Sequence, residues 1–329
     1  MKAERLKIVA RVVETRDIAS AIRLIRFDIP QGLLDLQAGA HVTFEIPKDN
    51  GSITRSYSVV DDGQRRGGLT IAVKLEAASK GGSRFMWSLA EGDEISICGN
   101  GNAMPPAYAG SDYVVLAGGI GVTPMTGMVR ALKRTGKPVR MVYCARSRAD
   151  AAFVEELQNV MGEALTLYFD SEGQVLDIPA LVQDLSARSM LFLCGPQGMM
   201  EAVKSAWQAH GLPVQNLRYE TFANSGAQPT KAFRVMVEET GRVVDVPEDT
   251  SLLDALIASG HDVLSDCRKG ECGLCKLEVT EGGGAIDHRD VFLSPDERAS
   301  NNCLCACVSR ISGGEIRIRI DGVQHGRAH

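Results

Sequence analysis

The chain has 329 residues, 44% of them hydrophobic, and a formal net charge of -5, enough for two or three buried cores and unlike a disordered or fibrous chain. Its acids and bases are interspersed, with no basic run to follow a phosphate backbone, so nucleic acid is not expected as a partner. No apolar run approaches a membrane span and MKAERLKIVARVV alternates charged with apolar residues, so the expectation is a cytoplasmic protein with no membrane partner.

From residue 6 to about 104 the pattern is strand-like: LKIVARVV, AIRLIRF, HVTFEI, SYSVV, LTIAVKL and EISIC, separated by Gly, Pro, Asp and Asn clusters. Short strands at this spacing predict an antiparallel barrel or sandwich, interrupted by one helix over SRFMWSLAEG. From 112 to 222 an apolar strand followed by an amphipathic helix repeats, as in YVVLAG then PMTGMVRALKR and MLFLCG then PQGMMEAVKSAWQAHG. That rhythm predicts a parallel sheet with helices on its faces. ANSGAQPTK, 223 to 231, reads as a linker, and FRVMVEETGRVVDV beyond it as a hairpin turning near Thr240 and Gly241, followed by a helix over SLLDALIASG.

Several short stretches carry chemistry. KGGS, 80 to 83, precedes a helical pattern, and glycines there leave free amides and the positive end of a helix dipole for a phosphate; an ordinary Ser83 N-cap is the plain alternative. YVVLAGGIGVTP is strand, glycine turn and helix, with Thr123 placed as N-cap and Pro124 at the first helical position. It lacks the G-x-G-x-x-G fingerprint of dinucleotide folds. Arg146 and Arg148 follow the strand VRMVYC, where they would either meet a 2′-phosphate or form a solvated face.

Nine cysteines occur, six of them in the last 63 residues, which in a chain read as unexported argues for metal ligation over disulfides. Cys267, Cys272 and Cys275 have the C-x4-C-x2-C spacing of a plant-type 2Fe-2S site, which needs a fourth thiolate downstream. Glycines 270 and 273 let the backbone curl around such a group. Zinc is the alternative, but zinc ribbons carry two C-x2-C knuckles and this chain has one. For the fourth ligand, Cys303, Cys305 and Cys307 would share one face of an extended chain, and spacing does not choose among them.

The run from Asp266 to Arg310, with DHRD at 287 to 290 and CVSR at 307 to 310, resembles the ferredoxin domain of the phthalate dioxygenase reductase and vanillate demethylase reductase family. In that family the fourth ligand immediately precedes V-S-R, which implies Cys307; the GGG at 282 to 284 departs from the pattern. RSYS at 55 to 58 resembles the flavin element of the same superfamily. The resemblance implies that Arg55, Ser56, Tyr57 and Ser58 bind flavin with Ala72, Val73 and Lys74, that Gly81, Gly82 and Ser83 hold its phosphate, and that the short GGS form takes FMN. It further implies nicotinamide binding by Gly118, Gly119, Gly121, Thr123 and Arg146 and by Cys194, Gly195 and Pro196 of CGP, with Phe222 of YETF covering the flavin. Ser58, Cys194 and Glu220 would stand nearest the reacting atoms.

What the resemblance implies overall is three domains: an FMN-binding antiparallel β-barrel at 1–108, an NAD(P)H-binding α/β domain with a parallel sheet at 109–224, and, after a linker at 225–231, an α+β β-grasp ferredoxin domain at 232–329. NADH, with NADPH as the alternative coenzyme, gives up a hydride, and a 2Fe-2S cluster accepts one electron, so a flavin between them reconciles the two. The resemblance therefore implies the reductase of a Rieske-type oxygenase system, with a separate oxygenase as its expected partner. A flavin and iron-sulfur redox sensor and a zinc-stabilised binding protein are the rival readings.

Overall fold

Alternation of apolar and polar residues in IVARVVETRDIA makes the first strand, β1 (Ile8–Ala19), which buries Ile8, Ala10 and Val12 on one face. A computed structural model describes residues 7–30, 34, 36–48, 51–61, 68–77, 81–222, 230–282 and 284–320. Lys80, Gly283, most of the expected linker and the tail DGVQHGRAH therefore lie outside the described residues. Two compact units divide the chain, Met1–Glu220 and Thr221–His329.

In the first unit, β1 is followed by β2 (Ile22–Asp28), β3 (Ala40–Lys48), β4 (Gly51–Ser58), β5 (Leu69–Lys74), the helix α1 (Gly82–Ser88) and β6 (Glu94–Asn102). The strands pair antiparallel in the order β4-β3-β6-β1-β2-β5. Val59 bridges Ile71, so the two outer strands meet and the sheet closes into a barrel filled by Ile25, Phe27, Phe44 and Ile71. α1 is shorter than its sequence pattern suggests: Leu89 turns to extended backbone, and the Asp93 carboxylate accepts the Ala90 N–H at 2.9 Å.

The second sheet of this unit is built from β7 (Asp112–Gly118), α2 (Val122–Lys133), β8 (Val139–Ala145), α3 (Val154–Met161), β9 (Leu165–Phe169), α4 (Ile178–Gln183), β10 (Ser189–Cys194), α5 (Gln197–Ala209) and β11 (Leu217–Glu220). Its strands are all parallel, in the order β11-β10-β7-β8-β9. Because helices cover both faces, β7 and β10 are apolar along nearly their whole length. The chain runs outward from β7 to β9 and then returns to β10 on the other side of β7, which puts the topological switch between β7 and β10. Barrel and sheet are joined by the Asp61 N–H, which donates to Thr126 Oγ1 at 3.0 Å, and by Ser20, whose N–H and hydroxyl donate to the Ala149 carbonyl at 2.8 and 3.0 Å.

One expectation is corrected here. Thr123 is not an N-cap: a 3-10 turn over Gly119–Gly121 runs straight into α2, Gly121 is the capping position, and the Thr123 hydroxyl donates to the Ile120 carbonyl at 3.0 Å. The turn supplies the first hydrogen bonds of the helix and moves its start two residues upstream.

The second unit comprises β12 (Phe233–Val237), β13 (Arg242–Val246), α6 (Leu252–Ala258), β14 (Lys276–Gly282), β15 (Ile286–Asp287), α7 (Pro295–Ser300), β16 (Cys303–Cys305), β17 (Arg310–Ile311) and β18 (Glu315–Arg319). The expected hairpin is β12 and β13, turning at Gly241 with φ 64°. The main sheet has the order β13-β12-β18-β14-β16, with β12 parallel to β18, and α6 buries Leu252, Leu253 and Leu256 in its core. A mixed sheet holding one helix in this way is the β-grasp arrangement. Among the described residues no helix is long and apolar enough to cross a membrane.

Candidate functional site

The flavin motifs meet at the barrel seam. Ser58 is the last residue of β4, Val59 beyond it bridges Ile71, and Ala72, Val73 and Lys74 continue β5 from that point. RSYS and AVK, fifteen residues or so apart in sequence, thus become neighbours across the seam. The Ser58 hydroxyl is buried and has no hydrogen-bond partner among the described residues, and a buried hydroxyl in that state is stabilised by a ligand that supplies one. Tyr57, half-buried and tilted against Phe44 with ring centroids 6.0 Å apart, has its phenol pushed up to about 12 by burial. It is a neutral, apolar platform. Ser56, on the opposite face, is exposed and shares a hydrogen bond with Thr43 at 2.8 Å.

Arg55 lies against Gly82, where an added Cβ would stand 3.0 Å from Arg55 Cγ and Nε, so a larger residue there would displace the arginine side chain. Gly81, at φ 103°, caps α1, and the Ser83 hydroxyl is not an N-cap but accepts the Glu76 N–H at 3.2 Å. A cation beside the first amides of a helix fits a phosphate. Lys74 is half-buried at the end of β5 with Nζ 3.6 Å from Glu76.

The nicotinamide motifs meet at the switch point. A Cβ on Gly118 would lie 2.5 Å from Pro196 Cδ, and one on Gly195 would lie 3.2 Å from Gly118 Cα. The two turns therefore pack backbone to backbone, a cradle that side chains would fill. Cys194 pairs with Glu220 in register across β10 and β11, and both are fully buried. Gly118, Gly119, Gly121, Cys194, Gly195, Pro196 and Glu220 are thus gathered along the carboxyl edge of three adjacent strands, where ligands of open parallel sheets bind. Arg146 stands apart from them, exposed just past β8. Arg148 is engaged elsewhere, bidentate to Glu172 at 2.6 and 3.0 Å and stacked on Phe169. Phe222 falls in the second unit and is half-buried. Met199, which sequence reasoning did not single out, lines the cradle with its sulfur 3.1 and 2.9 Å from the Cβ positions of Gly118 and Gly195.

The cysteine loop is curled by left-handed backbone at Arg268, Gly270 and Gly273, with φ of 52°, 75° and 73°. That curl aims the N–H groups of Lys269 and Glu271 at Cys267 Sγ, each at 3.4 Å, as suits a thiolate held to iron. Downstream, the chain is extended only over Cys303–Cys305, pairing with β14, and then turns, so the three cysteines do not share one face. The turn is closed by the Val308 and Ser309 N–H groups on the Cys305 carbonyl, at 3.2 and 2.9 Å. It carries Cys307 to Cys275 and toward Cys267, while Cys272 hydrogen-bonds Cys267. Cys275 accepts hydrogen bonds from Cys305 and Cys307, which hold its thiol below the ordinary value. Cys305 is fully buried, and Cys303 pairs with Glu278 in the strand beside β14. Among the described residues no three His, Cys, Asp or Glu side chains are placed to hold a single metal ion.

Three family models match the chain in order: an oxidoreductase FAD-binding domain over residues 9–104, an oxidoreductase NAD-binding domain over 115–205, and a 2Fe-2S iron-sulfur cluster binding domain over 235–312. The chain is 35% identical over 297 residues to phenoxybenzoate dioxygenase subunit beta of Ectopseudomonas oleovorans, covering 89% of this chain and 91% of that one. It is 31% identical over 321 residues to phthalate dioxygenase reductase of Burkholderia cepacia, covering 95% and 96% of the two chains. A solved phthalate dioxygenase reductase, described as a modular structure for electron transfer from pyridine nucleotides to [2Fe-2S], superposes with a TM-score of 0.74 at 29% identity over 95% of this chain and 98% of that one. The chain belongs to the phthalate dioxygenase reductase family of oxidoreductases, with flavin-binding, NAD-binding and 2Fe-2S domains in one polypeptide.

Proposed function

We propose that this protein is the cytoplasmic reductase of a Rieske-type oxygenase system, with FMN in a domain of residues 1–108, NADH in 109–224 and a 2Fe-2S cluster in 232–329. The reading is carried by the convergence of Cys267, Cys272, Cys275 and Cys307 on a β-grasp unit that shares its chain with a flavin barrel and a nucleotide sheet. An oxygenase partner is supported by the relatives that are named as subunits or reductases of oxygenases. The bound groups would supply hydride donation, the exchange of two electrons for single ones, and single-electron delivery to that partner.

The chain's own residues orient these groups. Arg55, with the amides of Gly82 and Ser83, neutralises the FMN phosphate, and the absence of a Cβ at Gly82 keeps that seat short. Tyr57 covers one side of the ring system, and the orphaned Ser58 hydroxyl donates to its reactive edge. Ala72 and Val73 offer backbone at the seam, and Lys74 a cation. The paired turns at Gly118 to Gly121 and Cys194 to Pro196 hold the dinucleotide, with Thr123 buried beneath the turn and Arg146 at the adenosine end. Cys194 and Glu220 would line the nicotinamide side, and Phe222 would cover the flavin, as the family resemblance implies. Each of these roles places and tunes; none needs an acid-base dyad.

The experiment is NADH-driven reduction, under anaerobic conditions, of two purified acceptors, a Rieske oxygenase and a haem monooxygenase, followed by EPR and by absorption. Faster reduction of the Rieske acceptor is the expected outcome, and preference for the haem acceptor would overturn the partner assignment. Extraction of FAD in place of FMN would overturn the flavin assignment.

A further inference from the structure

DHRD, 287 to 290, ends in a carboxylate that the electron route has not used. Asp290 is 0% exposed, and an anion removed from water requires donors or cations around it. Its Oδ2 accepts the Leu293 N–H at 2.8 Å and its Oδ1 the Ser309 hydroxyl at 3.4 Å. The nearest guanidinium stands farther off, with Arg298 Nη2 3.9 Å from Oδ2, and the His288 ring has Nδ1 3.8 Å from Oδ1. Arg298 directs its shorter bond, 2.7 Å, to the Asp290 main-chain carbonyl, and Arg289 pairs with Asp287 at 2.7 Å. Burial pushes the carboxyl up, but His288, the Leu293 N–H and Arg298 together outweigh it and hold the group below the ordinary Asp value. Asp290 is a buried carboxylate, held in its charged form by these neighbours.

Its position is tied to both ligand-bearing segments. Gly270, midway between Cys267 and Cys272, would with a Cβ come within 2.8 Å of Asp290 Cα and 2.9 Å of its Cβ, and the Gly270 carbonyl accepts the Val291 N–H at 3.0 Å. Ser309 follows Cys307 by two residues. An anchoring role alone does not call for a charge, because an asparagine would accept the Leu293 N–H through its amide oxygen and donate its amide N–H to the Ser309 hydroxyl oxygen.

We infer that Asp290 is a tuning residue whose fixed negative charge lowers the reduction potential of the 2Fe-2S cluster held by Cys267, Cys272, Cys275 and Cys307. The inference rests on that ligand set. Reduction adds one electron, supplied through the flavin, and Asp290 takes up no proton with it. A like charge enclosed beneath the ligand loop opposes the electron's arrival and favours its departure to the partner, and inside the protein it is screened far less than a surface charge. Net local charge is one of the levers by which proteins set such potentials.

The test is an equilibrium redox titration of the full-length holoprotein, with mediators, following the low-temperature EPR signal of the reduced cluster. Asp290→Asn keeps the signal and raises the equilibrium constant for one-electron reduction about tenfold, 59 mV for a one-electron couple. Asp290→Glu, which restores the charge, returns it toward wild type. An unchanged potential in a cluster-bearing Asp290→Asn protein overturns the inference. If that variant fails to hold a cluster, Arg298→Gln decides: loss of a screening cation lowers the equilibrium constant about threefold, and no shift overturns the inference. A wild-type holoprotein lacking the EPR signal would count against the cluster reading itself.

Discussion

Gly121 and Cys194 touch through their backbones: a Cβ on Gly121 would lie 2.2 Å from the Cys194 carbonyl oxygen and 2.5 Å from its carbonyl carbon. The glycine turn after β7 and the C-G-P turn after β10 are therefore one structure, 73 positions apart in sequence and sealed by a missing methyl group. Backbone atoms cannot yield as a flexible side chain does, so Gly121→Ala must push β10 and α2 apart. It is expected to cost about 1–3 kcal/mol of stability and to raise the KM for NADH about tenfold or more with FMN content unchanged. Thermal unfolding and steady-state kinetics with ferricyanide as acceptor measure the two effects.

Cys305 and Cys307 both reach Cys275, Cys307 by a turn that also carries it toward Cys267, whereas Cys303 belongs to the strand beside β14. Cys307→Ser is expected to abolish the cluster's visible colour and its low-temperature EPR signal. Cys303→Ser and Cys305→Ser are expected to keep both. Iron content, absorption and EPR of the three variants read the outcome directly.

Ser58 offers a buried hydroxyl that no atom of the described residues satisfies. If its partner is the flavin's reactive edge, Ser58→Ala should leave FMN bound and slow hydride transfer from NADH by about 10- to 100-fold, as seen in stopped-flow bleaching of the flavin. Threonine, which keeps the hydroxyl, should recover most of the rate.

Glu297 closes the capping box of α7, accepting from the Ser294 N–H and pairing with Lys276 Nζ at 2.7 Å. The Lys276 hydrogen bond, followed by those from Ser294, holds its carboxyl down to about 2 from an ordinary 4.5. A depressed carboxylate stabilises the fold above its unfolded value and loses that contribution as pH falls from about 5 toward 2. Since its side chain is 38% exposed, screening reduces the effect, and Glu297→Gln should cost about 0.5–1 kcal/mol at pH 7. The difference between variant and wild type should vanish near pH 2. Unfolding followed by far-ultraviolet circular dichroism, across that range, tests the sign.

Much of this molecule is legible in its sequence because its strands and glycine turns are local signals. IVARVV and LTIAVK read as strands by alternation or by continuous apolar runs, and GGIG and CGP read as turns by their glycines. What escaped is what depends on partners far along the chain. KLEVTEG and EIRIR pair across 30-odd residues, and neither stands out alone. CLCAC looks extended by composition, yet the chain turns after Cys305 because that carbonyl collects two N–H groups. Thr123 resembles a cap until the preceding 3-10 turn is seen to start the helix earlier. The box SPDE, 294 to 297, was readable as a helix start. The enclosure of Asp290 was not, since only the folded loop brings Gly270 over it.

The route itself is tested most directly by titrating the purified, cluster-bearing protein with NADH under strictly anaerobic conditions while recording absorption and low-temperature EPR. The flavin absorption should fall and the signal of a reduced 2Fe-2S cluster should grow with the same additions of NADH. Loss of flavin absorption with no cluster signal would contradict the route from nicotinamide through flavin to the four cysteines.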